Sequence, residues 1–443
     1  MIMTVEDLDP IASIKKYVLV DGFDLVVDLN NSNGLWLHDH KTGDKYLDFY
    51  SSFASAPIGY NHPMALEDED FLKHLKNAAV NKISNSDFYT LEYAKFMDTF
   101  SRVAIPKEFV HAFFISGGAL AVENALKAAF DWKVKTNFAN GITDVVGSQI
   151  IHFQEAFHGR SGYTLSLTNT ADPRKYQYFP RFNWPRISNP KITYPINEHL
   201  EDIVMREQRS IEEINDVISK NGNDIAGLIL EPIQSEGGDN HFRDDFLLEL
   251  RKITLENDIM FILDEVQTGI GMTGKMWGYQ HVKGLVPDLL VFGKKMQICG
   301  FLSTDRIDSI QNNVFKESSR INSTWGGNLV DMVRSSKYLE IIESQNYVEN
   351  AQVVGQYMIN LLQSLAEESN GLISNVRGKG LMISFDLPST ELRDKFKKVV
   401  FKEKAIVLSC GHNGIRFRPS LNVTNEEVDL LLEKLHVALN KIS

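Results

Sequence analysis

Short apolar runs without internal alternation recur along the middle of the chain, at residues 112–115, 149–153, 225–230, 259–263 and 289–292. A strand with one wet face alternates apolar and polar residues. A strand covered on both faces does not, so these runs predict buried strands of a parallel sheet. Longer stretches with helical spacing lie between them, 119–134 and 242–256 among them. Strand then helix, repeated from about Phe113 to Trp325, predicts an α/β arrangement with right-handed crossovers.

Outside this region the pattern changes. The N-terminal stretch reads as short β pieces at 17–20, 25–29, 34–38 and 45–49, punctuated by Asn33-Gly34 and Thr42-Gly43. After about Met332 a long helical stretch leads into strand-like residues at 371–386, and two more helices follow. The last is marked by Thr424 and Glu427, spaced as a capping box. Val428, Leu431, Leu432, Leu435 and Leu439 then share one face. There is no internal repeat and no low-complexity tract. The middle, residues 61–330, is expected to form a large domain, and 1–60 with 331–443 a smaller second one.

In open parallel sheets, ligands gather beyond the carboxyl ends of the strands. The residues that follow each run are therefore the candidates for chemistry. Ser116-Gly117-Gly118-Ala119 opens a predicted helix, where backbone N–H groups and the helix dipole favour phosphate; an ordinary tight turn explains the same residues. In Gln154-Glu155-Ala156-Phe157-His158-Gly159-Arg160, Phe157 suits stacking on a flat ring and Arg160 suits a carboxylate, with a core Phe and a surface Arg as the plain alternative. Glu231 and Glu236 read by themselves as loop charges.

Asp264 ends a buried run, which is costly for a carboxylate unless it is paired. A pyridinium N–H would pair it, and so would a turn that it caps. Lys294 and Lys295 follow Gly293 at the end of the next run. A lysine there loses its proton through desolvation and can form a Schiff base, although a lone lysine is ordinarily solvated. Phosphate loop, stacking Phe, ring-facing Asp and reactive Lys together meet the requirements for pyridoxal 5′-phosphate (PLP).

Composition narrows the partners. A 443-residue chain with a net charge of −12 argues against nucleic acid. No segment reaches the roughly 18 unbroken apolar residues of a membrane span, so no membrane partner is expected. Two cysteines, Cys299 and Cys410, fit a reducing cytoplasm better than a disulfide framework. The N-terminus, MIMTVEDLDPIASIKKY, mixes acidic and polar residues without a basic start and apolar run, so no secretory signal is expected. No metal site is expected.

Over nearly its whole length the sequence resembles the class III (ω-amino acid) aminotransferases of PLP fold type I. The motifs that carry the resemblance are Ile262-Leu263-Asp264-Glu265-Val266-Gln267-Thr268-Gly269, Pro287-Asp288 followed six residues after the Asp by Lys294, and Ile415-Arg416-Phe417-Arg418-Pro419. Three stretches are most similar to the branch that takes lysine as donor. They are Phe292-Gly293-Lys294-Lys295-Met296-Gln297-Ile298-Cys299-Gly300, Asn322-Ser323-Thr324-Trp325-Gly326-Gly327-Asn328, and the helix start from Gly117 to Lys127.

The resemblance implies a large domain around a mostly parallel seven-stranded sheet, a smaller α/β domain from both chain ends, PLP as cofactor, and a homodimer with shared active sites. It implies Lys294 as the Schiff-base lysine, favoured over Lys295 by its spacing from Asp288 and by the small Gly293. Asp264 would pair with the pyridine nitrogen and Gln267 contact the ring hydroxyl. Phe157 and Val266 would sandwich the ring, and Gly118 and Ala119 give N–H groups to the phosphate. Thr324 would reach the phosphate in the other subunit. Ala119 stands where many members carry a hydroxyl, and Met296-Gln297-Ile298 where many have a small pair.

The implied substrates are L-lysine as donor and 2-oxoglutarate as acceptor, with 4-aminobutyrate or ornithine as alternative donors. Arg160 would hold the distal carboxylate, with Asn322 as helper. Glu236 would pair with Arg416 while lysine is bound, then release it to the acceptor's α-carboxylate. Arg418 is the alternative to Arg416.

Overall fold

The computed structural model describes residues 8–442. The first seven residues of the acidic and polar start lie outside the described residues.

The core is a seven-stranded sheet. Its strands, numbered along the chain, are β1 (Phe109–Ile115), β2 (Gln149–Phe153), β3 (Arg186–Ile187), β4 (Ile225–Leu230), β5 (Met260–Asp264), β6 (Leu289–Phe292) and β7 (Cys299–Thr304). Their spatial order is β1-β7-β6-β5-β4-β2-β3. All neighbours are parallel except at β7, which runs antiparallel to both β6 and β1. Chain length explains that exception. Only residues 293–298 separate β6 from β7, far short of the dozen or more that a parallel crossover needs, so the chain must turn back.

Strands β4, β5 and β6 are buried at every position, as their unbroken apolar runs predict. Strand β1 begins at Phe109, three residues before the predicted run. Strand β5 is shifted by one residue from the predicted 259–263, so that Asp264 is its last member. Two strands escape the sequence pattern. Strand β3 is two residues long, and β7 is interrupted by Gly300 and ends in Ser303 and Thr304.

Helix Gly118–Ala139 follows β1 and packs on the sheet through Ala121, Val122, Ala125, Leu126 and Ala129. Helix Asp244–Glu256 stands between β4 and β5. Helices Glu69–Val80 and Leu91–Val103, not among the expected elements, precede the sheet.

Smaller sheets complete the fold, and the chain ends meet in the first of them. Trp36–His38 and Lys45–Asp48 form a hairpin, and Ala405–Ile406 joins it in parallel through Ala405 opposite Leu47. A four-stranded antiparallel sheet takes the order Ser374–Lys379, Met382–Asp386, Gly414–Phe417, Leu408–Cys410. The long helical stretch after Met332 is two helices, Leu329–Ser344 and Tyr347–Glu368, broken where Asn346 adopts φ +54°. The last helix, Asn425–Ile442, has the expected box: Thr424 N–H donates to Glu427 Oε2 at 3.0 Å, and Glu427 N–H donates to Thr424 Oγ1 at 3.3 Å.

Two expected β pieces are not strands. Residues 17–20 follow a short helix, Pro10–Lys15, capped by Asp9. Tyr17 is 93% and Leu19 82% exposed, so the apolar run there has no sheet to join. Within 25–29 only Val27 pairs, in an isolated bridge with Asp39. Among the described residues no helix is long and apolar enough to cross a membrane.

Candidate active site

A cavity of about 800 Å³ opens beyond the carboxyl ends of the central strands. Asp264 ends β5, Lys294 follows β6, and Phe157, His158 and Arg160 lie just after β2. Gly118 and Ala119 start the helix after β1. Ten of the residues picked from sequence line this one space: Gly118, Ala119, Phe157, Arg160, Glu236, Asp264, Val266, Gln267, Lys294 and Arg416. Asn322 and Thr324 do not. Both are exposed and tied to the 84–86 turn instead, Asn322 Oδ1 accepting from Ser86 Oγ at 2.9 Å and the Thr324 carbonyl from Ser84 Oγ at 2.5 Å.

Lys294 sits at φ +50°, a conformation that non-glycine residues avoid at a cost of order 1–3 kcal/mol. The turn Gly293–Gln297 holds it there, with Met296 N–H donating to the Gly293 carbonyl at 3.1 Å and Gln297 N–H to the Lys294 carbonyl at 2.7 Å. The small residue before it is needed for space, since a Cβ at Gly293 would lie 2.9 Å from Cys299 Sγ. Burial pushes the Lys294 amine down to about 8, and the Arg416 guanidinium adds to the drop while Asp264 and Glu231 oppose it. The rival Lys295 is more deeply buried than Lys294, but its Nζ donates to the Gln267 carbonyl at 2.6 Å and the residue is absent from the cavity lining.

Asp264 is 5% exposed and fully engaged on the protein side. Its Oδ2 bonds His158 Nδ1 at 2.8 Å and its Oδ1 accepts from Val266 N–H at 3.1 Å. Glu231, read from sequence as a loop charge, is a buried scaffold carboxylate: it accepts from Phe157 N–H at 2.9 Å and Ser235 N–H at 3.1 Å, and burial raises it to about 7.

Arg416 and Arg418 part company. Arg418 forms an ion pair with Asp239, and both side chains are fully buried, with Nη2 2.5 Å from Oδ1 and Nη1 3.0 Å from Oδ2. Arg416 faces the cavity from the strand Gly414–Phe417, and its Nη2 donates to Glu236 Oε2 at 2.6 Å. Its Nε and Nη1 are buried without a partner. Burial pulls the Glu236 carboxyl upward, but Arg416 and Lys175 outweigh it and hold the group below the usual range.

Sequence reasoning missed Lys175, whose Nζ bonds Glu236 Oε1, and His158, which supports Asp264. His158 had a signal in its place among the residues following β2. Lys175 had none, because it lies on a loop far from any strand end. Phe53, Ser55 and Gln297 also line the cavity.

These groups fit PLP on the structure's own terms. The helix at Gly118 has no side-chain cap, and Gly117 at φ +104° turns the chain into it, so its first N–H groups are open to an anion. The Gln267 Oε1 atom is buried and unpartnered, suited to a hydroxyl donor. Lys294 supplies an amine that is partly neutral near pH 8 and can react with an aldehyde.

Comparison with known proteins agrees with this reading. The family model for class-III aminotransferases matches residues 19–439. An L-lysine-epsilon aminotransferase of Amycolatopsis lactamdurans is 48% identical, over 96% of this chain and 94% of its own. Its counterpart from Streptomyces clavuligerus is 46% identical, over 97% and 94%. A solved lysine aminotransferase from M. tuberculosis in the internal aldimine form superposes with a TM-score of 0.96 at 43% identity, covering 98% of this chain and 99% of that one. With the seven-stranded sheet of PLP fold type I, an amine and a carboxylate at adjacent strand ends, and a matching family model over most of its length, the chain belongs to the class III aminotransferases, which use PLP.

Proposed function

We propose that this aminotransferase moves the ε-amino group of L-lysine to 2-oxoglutarate, giving 2-aminoadipate 6-semialdehyde and L-glutamate, the reaction of an L-lysine 6-transaminase. The observation that carries the two-substrate logic is the pair Glu236–Arg416 inside the cavity, 2.6 Å apart. The names of the curated relatives support lysine as donor.

Lys294 would hold PLP through its amine until the substrate's amine takes its place, and Asp264, kept in position by His158, would pair with the ring nitrogen. Gln267 would meet the ring hydroxyl, and Phe157 and Val266 would flank the ring. Gly118 and Ala119 would offer backbone N–H groups to the phosphate. The cofactor, when bound, supplies the electron sink that makes the carbon bearing the amine acidic. Lys294 takes the proton from the ε-carbon of lysine as general base, and in the second half-reaction delivers one to C2 of the 2-oxoglutarate skeleton as general acid.

The two substrates differ in where their charge lies. Lysine presents no carboxylate near the reacting carbon, and a bare arginine there would favour its α-amino end, bringing the α-carboxylate in. Glu236 masks Arg416 during this half. 2-Oxoglutarate carries a carboxylate beside the reacting carbon, so Glu236 swings aside and Arg416 takes that group as a two-pronged donor. Arg160 holds the distal carboxylate in both halves; Asn322 lies outside its own subunit's cavity and would assist only across the dimer interface.

The active form is a homodimer, with Thr324 reaching the cofactor phosphate in the other subunit. We read 61–330 as the large domain, and 1–60 with 331–443 as the smaller one. We place the enzyme in the cytoplasm; both cysteines are free thiols.

Lysine labelled with ¹⁵N at the ε-position, incubated with 2-oxoglutarate, tests the reading. Label in glutamate is expected. Unlabelled glutamate, with the α-nitrogen lost instead, or a preference for 4-aminobutyrate over lysine in a donor panel, would overturn it.

A further inference from the structure

Glu236 does not answer to Arg416 alone. Its Oε2 accepts from Arg416 Nη2, and its Oε1 accepts from Lys175 Nζ. Lys175 closes a one-turn helix, Pro173–Lys175, whose start is capped by the Asp172 side chain. Its own side chain is 16% exposed and lines the cavity, with Nζ 6.0 Å from the Phe157 ring centroid. The carboxylate therefore bridges two cations, one on the C-terminal sheet and one on the loop before β3.

A carboxylate that leaves Arg416 inside such a cavity must keep a partner, because an uncompensated charge there is costly. The backbone of Glu236 leaves little room for a larger movement. Gly411 N–H donates to the Glu236 carbonyl at 2.9 Å, and a Cβ on the next residue, Gly237, would fall 2.0 Å from the Glu155 carbonyl oxygen. Any exchange at Arg416 is then a pivot of the Glu236 side chain. Lys175 already holds the oxygen that stays behind.

We propose that Lys175 is a positioning residue for the acceptor half-reaction: it retains the Glu236 carboxylate when Arg416 is handed to an incoming dicarboxylate. This rests on the Glu236–Arg416 exchange proposed above. Lys175 lowers the cost of unmasking Arg416 and takes no part while a donor without a carboxylate near its reacting carbon is bound. Its loss leaves Glu236 with a single partner, more firmly closed over Arg416.

The test uses the PLP-loaded enzyme with Lys175→Gln and Lys175→Arg. Calorimetry gives the affinity for glutarate, a dicarboxylate that cannot react, and stopped-flow absorbance follows each half-reaction separately. In Lys175→Gln the dissociation constant for glutarate and the KM for 2-oxoglutarate should rise about tenfold, within the usual range of coupling between two sites. The lysine half-reaction should stay within about twofold, and Lys175→Arg should recover most of the loss. In a Glu236→Gln background, Lys175→Gln should have no further effect on glutarate. Equal losses in both half-reactions, or unchanged glutarate affinity, would overturn the proposal. So would an effect that persists in the Glu236→Gln background, which would mean direct contact with the ligand. If Glu236→Gln shifts glutarate affinity while Lys175→Gln does not, only the role of Lys175 fails. If Glu236→Gln shifts nothing, the exchange itself fails and this proposal with it.

Discussion

Replacing Lys294 by Met should make the cofactor-free protein more stable at neutral pH while abolishing its ability to fix the cofactor. The amine stands at about 8 against 10.5 for an ordinary lysine, with burial as the leading cause. At about 1.4 kcal/mol per tenfold change in proton affinity, the charged form is about 3 kcal/mol costlier in the folded protein than in the unfolded chain. Below pH 8 both forms carry the charge, so the whole cost is present. Between 8 and 10.5 the folded amine is neutral while the unfolded one is still charged, and the cost shrinks as pH rises. Above 10.5 nothing remains.

Methionine keeps the length of the side chain without the charge. The variant should therefore gain about 3 kcal/mol over the wild type at pH 7, and the gain should fall below about 1 kcal/mol by pH 10. Urea denaturation of cofactor-free protein at both pH values measures it, with borohydride reduction of PLP-treated samples as the functional control. A variant no more stable than wild type at pH 7, or a gain that does not change with pH, would refute the reasoning. Cofactor fixed on a different lysine would refute the assignment itself.

Other perturbations separate the remaining roles. Glu236→Ala uncovers Arg416 and should raise kcat/KM for α-amino donors such as glutamate or alanine at least about tenfold, the effect of exposing one buried charge; an unchanged donor preference counts against the masking. Lys295→Met loses only the bond from Nζ to the Gln267 carbonyl, so peptide mapping after borohydride treatment should still find the cofactor on position 294. Asp239→Ala leaves Arg418 buried without its partner and should cost about 3–5 kcal/mol, read as a lower urea midpoint with an unchanged slope.

What the sequence could tell followed from where physics leaves a local mark. Strands β4, β5 and β6 were legible because burial on both faces forbids polar residues over several positions. Residues 17–20 misled because a short apolar run signals a strand only if a neighbour exists to pair with it. The strand-end rule found Asp264, Lys294, Phe157 and Gly118 because a parallel sheet delivers its ligands at one edge. It could not choose between Arg416 and Arg418. Residues two apart in an extended chain point the same way, and the choice is made by Asp239, 179 residues earlier, which takes Arg418. Lys175 was invisible for a similar reason. Its partner Glu236 is 61 residues away and its loop has no periodicity.

The exchange proposed at Arg416 bears on the proton chemistry as well as on substrate choice. The Arg416 guanidinium is one of the charges that lower the Lys294 amine. Were Arg416 left bare in one half-reaction and masked in the other, Lys294 would be a weaker base in the first, and a single residue could not serve both directions equally. Substituting the acceptor's carboxylate for that of Glu236 keeps one negative charge against Arg416 throughout. The electrostatic surroundings of Lys294 then stay nearly constant while the substrate changes. The acid limbs of the two half-reactions, each measured by single-turnover absorbance across pH, should therefore coincide. In Glu236→Ala the donor limb alone should move to lower pH, because only there does Arg416 stand uncompensated. Acid limbs more than about one pH unit apart in the wild type would show that the exchange does not balance charge beside Lys294.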